Sequence, residues 1–156
     1  MINAAFLVYD RALFSGITRP YEILKAVNAM ARLEREPSPL DLHMVKIEDA
    51  QPKVAGDIPL NIEKNLQDLG HIDWMFIPPN WRDPKYLLNK YPFLPDMLKE
   101  RYEAGTKFIA TGAGVYFLAE AGLFAETPAT THWYFFDDFE KRYPKVELKR
   151  QHFITY

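Results

Sequence analysis

The 156 residues include no cysteine. That excludes disulfides, thiolate metal sites and thiol catalysis together, and it fits a reducing compartment. Charge of one sign is also lacking: the formal net charge is −2, so no basic field draws nucleic acid or anionic lipid to the chain. The start, MINAAFLVYD, has no basic stretch ahead of a short apolar run, and no run anywhere approaches a membrane span. Neither a signal peptide nor a transmembrane helix is read, and the expected location is the cytoplasm. Gly112 and Gly114 lack the third glycine and downstream acid of a dinucleotide fingerprint, and no cofactor is expected. What is present is globular in kind, with 48% hydrophobic and 26% charged residues, enough for one domain over residues 1–156 with a substantial core.

The apolar runs have the character of buried parallel strands. NAAFLVY (3–9) is the first, DLHMVKIE (41–48) the second, IDWMFIP (72–78) another, and TKFIA (106–110) leads into a tight turn. Between them, Ile23, Leu24, Val27, Met30, Ala31 and Leu33 recur at helical spacing and predict a helix over 19–35, with Pro20 in its first turn and these residues facing a core. AQPKVAGDIPLN suggests a short hairpin. Residues 83–105 are helical but interrupted by Pro92 and Pro95, GAGVYFLAEA forms a helix ended by Gly122, and Thr131 is a candidate N-cap for a helix stopped by Pro144. The end, KVELKRQHFITY, reads as strand material. This alternation predicts an α/β fold, a doubly wound and mostly parallel sheet flanked by helices in a flavodoxin-like three-layer sandwich. A terminal strand with no covering helix also raises the expectation that the domain is truncated.

Ligands of such sheets bind beyond the carboxyl ends of the strands. Three loops qualify: Asp10 to Arg19, Pro78 to Asp83, and the strand-to-helix elbow Ala110 to Gly114. An elbow aims a strand end and a helix's unpaired N–H groups at one spot, and where a reactive elbow carries Ser or Cys this one carries Ala110. Beside it, Asn80, Trp81 and Arg82 read either as an exposed loop or, as amide, ring and cation, as contacts for a carboxylate ligand. Thr111 with His132 is the one alternative nucleophile and base, although a local hydrogen bond suits Thr111 better. His43, His71 and His152 form no metal-ligand spacing with Asp41 or Asp73. Lys141–Arg142 and Lys149–Arg150 alternate with acids as on a solvated face, and Trp133, Tyr134, Phe135, Phe136 and Phe139 are expected to be mostly core, with some at an interface.

ATGAGVYFLAEAGLF followed by ATTHW, together with RPYEILKAVNAMAR after a short first strand, resembles the ThiJ/PfpI superfamily, specifically the glutamine-amidotransferase-like N-terminal domain of AraC-type transcriptional regulators. The resemblance implies a ligand-sensing, homodimerising domain with an unknown small-molecule effector, and DNA contact only through a helix-turn-helix region absent from these residues. The elbow Cys of catalytic relatives falls at Ala110, their Glu at Gly16, and the Gly of their oxyanion hole at Pro79. Loss of nucleophile, acid and one oxyanion donor implies a domain that is not an enzyme. The positions implied to line a ligand site are Gly16, Pro79, Asn80, Arg82, Ala110, Thr111, Gly112 and His132. A stand-alone enzyme or pseudoenzyme acting on a small acyl or aldehyde substrate is the alternative.

Overall fold

A computed structural model describes residues 1–156. Five parallel strands form one sheet in the order β3-β2-β1-β4-β5: β1 (Ile2–Val8), β2 (Leu40–Lys46), β3 (Lys64–Asn65), β4 (Trp74–Ile77) and β5 (Lys107–Ala110). The helices are α1 (Phe14–Leu33), α2 (Pro84–Lys90), α3 (Leu94–Glu103), α4 (Val115–Glu120) and α5 (Phe136–Arg142). β1 is central because Ala4 to Tyr9 are all buried, a continuous apolar run that both faces of the sheet can use. Its flanking registers run Phe6 against Met44 on one side and against Phe76 on the other. The chain winds from β1 outward to β2 and β3, then returns to β4 and β5. The order therefore reverses between β1 and β4, which is where a doubly wound sheet opens its crevice.

The two faces are covered unequally. Phe6 stacks on Phe76 with ring centroids 4.5 Å apart and meets Tyr21 of α1 edge-on at 5.2 Å, so α1 covers the β1 and β2 part of that face. On the opposite face Tyr9 meets Phe117 of α4 at 5.4 Å, and α3 packs against α4. Pro92 lies in the break between α2 and α3, where it has no amide to carry the helix through, whereas Pro95 sits in the first turn of α3, where no amide is needed. Asp83 caps α2, its carboxylate accepting the Lys85 N–H at 2.8 Å.

Several expectations are corrected. α1 begins at Phe14, with Leu13 at the N-cap position and no side-chain cap, so no capping residue announced its start. Pro20 lies inside the helix, where only the hydrogen bond to Gly16 O is forfeited. Ile17 is the one buried residue of α1, whereas Ile23, Val27, Met30 and Leu33 are 66, 40, 61 and 85% exposed. Residues 50–61 form no hairpin; the chain reaches β3, which pairs parallel with β2 through Val45–Lys64 and Lys46–Asn65. Residues 145–156 form no strand beyond an isolated bridge between Ala129 and Leu148. Thr131 does not cap the helix: its hydroxyl donates to Gly112 O at 3.0 Å, and His132 holds the cap position. Of the aromatic run only Phe139 is fully buried, while Trp133 and Tyr134 are both 71% exposed. No helix is long and apolar enough to cross a membrane.

Candidate functional site

The carboxyl ends of β1, β4 and β5 meet at the crevice. β1 continues into Tyr9, whose ring is buried and whose hydroxyl donates to Pro78 O at the end of β4; burial pushes its pKa far above the ordinary tyrosine value. The loop after β1 is stitched to the loop after β4: Leu13 N–H donates to Pro79 O at 2.8 Å, Trp81 N–H to Arg11 O at 2.7 Å, and Ala12 bridges Asn80. At β5, Thr111 N–H donates to Ile77 O at 3.0 Å, and the chain turns through Gly112–Gly114 into α4. Strand, tight turn and helix are therefore built as the sequence implied, with the methyl of Ala110 at the strand end.

Pro79 fills the center of this arrangement. A β-carbon at position 16 would stand 2.5 Å from Pro79 Cδ, and one at position 112 would stand 3.0 Å from Pro79 Cβ. Gly16 on α1 and Gly112 on the elbow are thus the two surfaces against which the pyrrolidine ring packs. Gly112 is further fixed by its φ of +52°, a conformation that costs little only for glycine. Gly114 allows the closest approach of all, since a β-carbon there would lie 2.6 Å from Pro78 O and 2.8 Å from Ile77 O.

Outside the proline ring a groove of about 410 Å³ runs between α1 and the β4–β5 edge, lined by Ser15, Gly16, Arg19, Pro20 and Ile23 on one wall and Phe76, Ile77, Pro79, Ile109 and Thr111 on the other. Among the expected site residues it brings together Gly16, Pro79 and Thr111; Thr111 Oγ donates toward Ile77 O at 3.5 Å. Ala110 and Thr111 also line a second groove of about 670 Å³ along the free edge of β5, together with Phe153 to Tyr156. The other expected residues stand apart. Asn80 is 6% exposed, its amide nitrogen donating to Arg82 O at 3.0 Å while its oxygen has no partner. Arg82 is exposed at a φ of +71° and lines neither groove. His132 is exposed, its Nδ1 accepting the Tyr134 N–H at 3.3 Å, so that nitrogen is occupied by a helix cap. Arg19, which supplies the cation of the groove, ends the first of the three candidate loops but was not among the site residues named from sequence, because it also opens the helix read over 19–35.

Beside the crevice, Asp10, Glu48 and Lys90 form an internal charge cluster. Asp10 accepts the Lys53 N–H at 2.8 Å and the Lys90 ammonium at 2.5 Å, and Lys90 also reaches Glu48 at 3.0 Å. Burial works to raise the pKa of Asp10, but the bonds from Lys90 and Lys53 outweigh it and hold the carboxyl below its ordinary value. A depressed carboxylate adds stability above its unfolded pKa and loses it as pH falls through the folded one. Asp10→Asn is therefore expected to lower unfolding free energy at pH 7 by about 1–2 kcal/mol. The difference from the parent should shrink below about pH 4, as read by urea titrations at both pH values. His43 and His71 pair singly with Asp41 at 3.0 Å and Asp73 at 3.2 Å, and no three potential ligands converge on a metal position.

The crevice defines a doubly wound α/β domain whose elbow carries Ala110 at the strand end. Its fold is that of the DJ-1/ThiJ/PfpI proteins. A solved structure from Vibrio parahaemolyticus, assigned as a transcriptional regulator protein, superposes with a TM-score of 0.83 at 24% identity, covering 97% of this chain and 77% of that one. An AraC family transcriptional regulator from Pseudomonas putida gives 0.74 at 16% identity, covering 96 and 76%. Schizosaccharomyces pombe DJ-1 gives 0.69 at 18% identity, covering 96 and 77%. In sequence, 55 residues are 42% identical to the HTH-type transcriptional regulator ArgR of Pseudomonas aeruginosa, a match spanning 35% of this chain and 17% of that regulator. No family model matches the chain.

Proposed function

We propose that this chain is the non-catalytic, ligand-sensing and dimerising domain of an AraC-type transcriptional regulator in the cytoplasm. The observation that carries the reading is the packing of Pro79 against Gly16 and Gly112 beside Ala110. In catalytic relatives, by the resemblance, a thiol, an acid and an oxyanion donor converge there; here a methyl group, a glycine and a proline ring take their places. Proline has no N–H to give an oxyanion, and a side chain at position 16 collides with the ring. The solved regulators sharing the fold support the assignment to transcription, and the groove with Arg19 at its rim supports a small effector with a carboxylate and an apolar body.

The gene beyond codon 156 tests the regulator assignment. Two helix-turn-helix motifs within roughly a hundred further residues are expected; a stop codon directly after Tyr156 would overturn it. The loss of catalysis is tested separately by Ala110→Cys. Restoring the thiol is expected to give no turnover of methylglyoxal or p-nitrophenyl acetate above the parent, because the acid and donor are still missing. Multiple turnovers by either protein would sink the non-catalytic reading.

A further inference from the structure

Residues 51–62 contain neither helix nor strand, yet one side chain closes them into a loop. The Gln51 amide donates to Ile62 O at 3.0 Å and accepts the Ile62 N–H at 2.9 Å, so the two ends of the segment are clasped together. That is a compact surface loop with a closed neck. Within it only Pro52, Val54 and Ile62 are buried, while the tip from Gly56 to Pro59 is exposed and turns through φ of +87° at Gly56 and +52° at Asp57. A segment with so little apolar anchoring belongs to the low end of local stability.

The loop lies across the chain that leaves β1. Arg11 N–H donates to Lys53 O at 2.8 Å, and Ala55 N–H donates to Ala12 O at 2.9 Å. The third attachment is charged. Asp10 Oδ1 accepts the Lys53 N–H at 2.8 Å, while the other oxygen of the same carboxylate holds the Lys90 ammonium. Lys90 also reaches Glu48 at 3.0 Å, just ahead of the loop, so one cation on α2 fixes both Asp10 and the base of the segment. Asp10 is therefore the strongest of the three fastenings.

The same stretch is tied to the crevice wall. Arg11 O accepts the Trp81 N–H at 2.7 Å, and Leu13 N–H donates to Pro79 O at 2.8 Å. Arg11 and Arg82 flank this junction with φ of +62° and +71°, conformations that non-glycine residues keep only where their surroundings over-determine them. Releasing the loop takes Lys53 O away from the Arg11 N–H. Loop and wall thus share one strained residue.

We infer that residues 51–62 are a lid, hinged at the Gln51–Ile62 neck and latched by Asp10, whose opening is coupled through Arg11 to the β4 loop that carries Pro79. The inference rests on the ligand-sensing role proposed above and supplies it with a two-state element. An effector seated against Pro79 shifts the lid by as much as it prefers one state over the other.

Native-state amide exchange in low denaturant tests the lid. In the parent chain the amides of Arg11, Lys53, Ala55, Ile62 and Trp81 are expected to share one protection factor, at least about a hundredfold below that of Leu7 in the middle of β1. Asp10→Ala removes the acceptor of Lys53 N–H, and Gln51→Ala that of Ile62 N–H, yet each is expected to speed all five amides about tenfold. Acceleration confined to the amide that lost its acceptor would overturn the lid. Protection equal to that of Leu7 would overturn it as well, because the loop would then open only when the whole domain unfolds. A Trp81 amide that departs from the other four would overturn the coupling to the crevice wall. None of these outcomes bears on the gene beyond codon 156, so the regulator assignment stands or falls separately.

Discussion

Gly114→Ala is expected to cost about 3 kcal/mol or more of folding stability, at the upper end of overpacking effects. The reason is what the new methyl would strike. Its β-carbon would lie 2.6 Å from Pro78 O and 2.8 Å from Ile77 O, and both are backbone atoms at the end of β4, not the mobile tip of a side chain. Neither can yield alone. Ile77 O already accepts the Thr111 N–H at 3.0 Å, and Pro78 O accepts the buried Tyr9 hydroxyl. Moving β4 away from the elbow would lengthen both bonds and open the contact between Tyr9 and Phe117. At a few degrees per kcal/mol for a chain of this length, the melting temperature should fall by about 6–12 °C. Gly105→Ala offers the contrast: it has no neighbor within 4 Å but a φ of +95°, so its cost is one of backbone strain, about 1 kcal/mol. Equal losses at the two positions would show that the elbow relaxes and that its close approach is not a constraint on the fold.

Most of the sheet was legible because parallel strands buried on both faces leave unbroken apolar runs. NAAFLVY and WMFI needed no partner to be read, and Pro92 marks the break in the second helical stretch while Pro95 falls in the first turn of the helix that follows. What the sequence concealed were features that depend on a neighbor. β3 is two residues long and has no pattern of its own; it exists because β2 offers an open edge. QHFITY has strand composition, but its groups find no ladder. The stripe from Ile23 to Met30 has helical spacing and looks like core, since periodicity reports that a face is apolar without saying what covers it. The candidate site was half readable. Ala110 was picked out by the elbow pattern and Gly16 and Pro79 by resemblance, whereas the close approach of Gly16 to Pro79 is a matter of distance that no linear pattern contains. Arg19 was marked only as the end of a candidate loop, because a lone cation at the start of a helix looks like solvated surface until Phe76 and Ile109 are found across from it.

That mutual contact yields the second large effect, a change of sign. Gly16→Ala is expected to destabilize the parent chain by about 1–3 kcal/mol, because the added carbon would sit 2.5 Å from Pro79 Cδ and 3.2 Å from Pro79 Cγ. In a Pro79→Gly background both ring atoms are gone. The nearest remaining neighbor is then Pro78 Cβ at 3.3 Å, which needs a shift of only a few tenths of an ångström. Alanine is also the better helix residue by up to about 1 kcal/mol, so Gly16→Ala should become neutral or slightly stabilizing there. Pro79→Gly by itself should cost about 1 kcal/mol through the freer unfolded chain. The coupling between the two sites, read from a double-mutant cycle of urea unfolding, is expected to exceed about 1 kcal/mol. An unchanged penalty in both backgrounds would mean that the ring does not hold Gly16 in place. The cycle bears on function as well as stability. By the resemblance, catalytic relatives carry Glu at the first position and Gly at the second, the combination in which acid and oxyanion donor both have room. Proline at 79 has no N–H to donate and its ring occupies the space above position 16, so the cycle measures the one contact on which the proposed non-catalytic role rests.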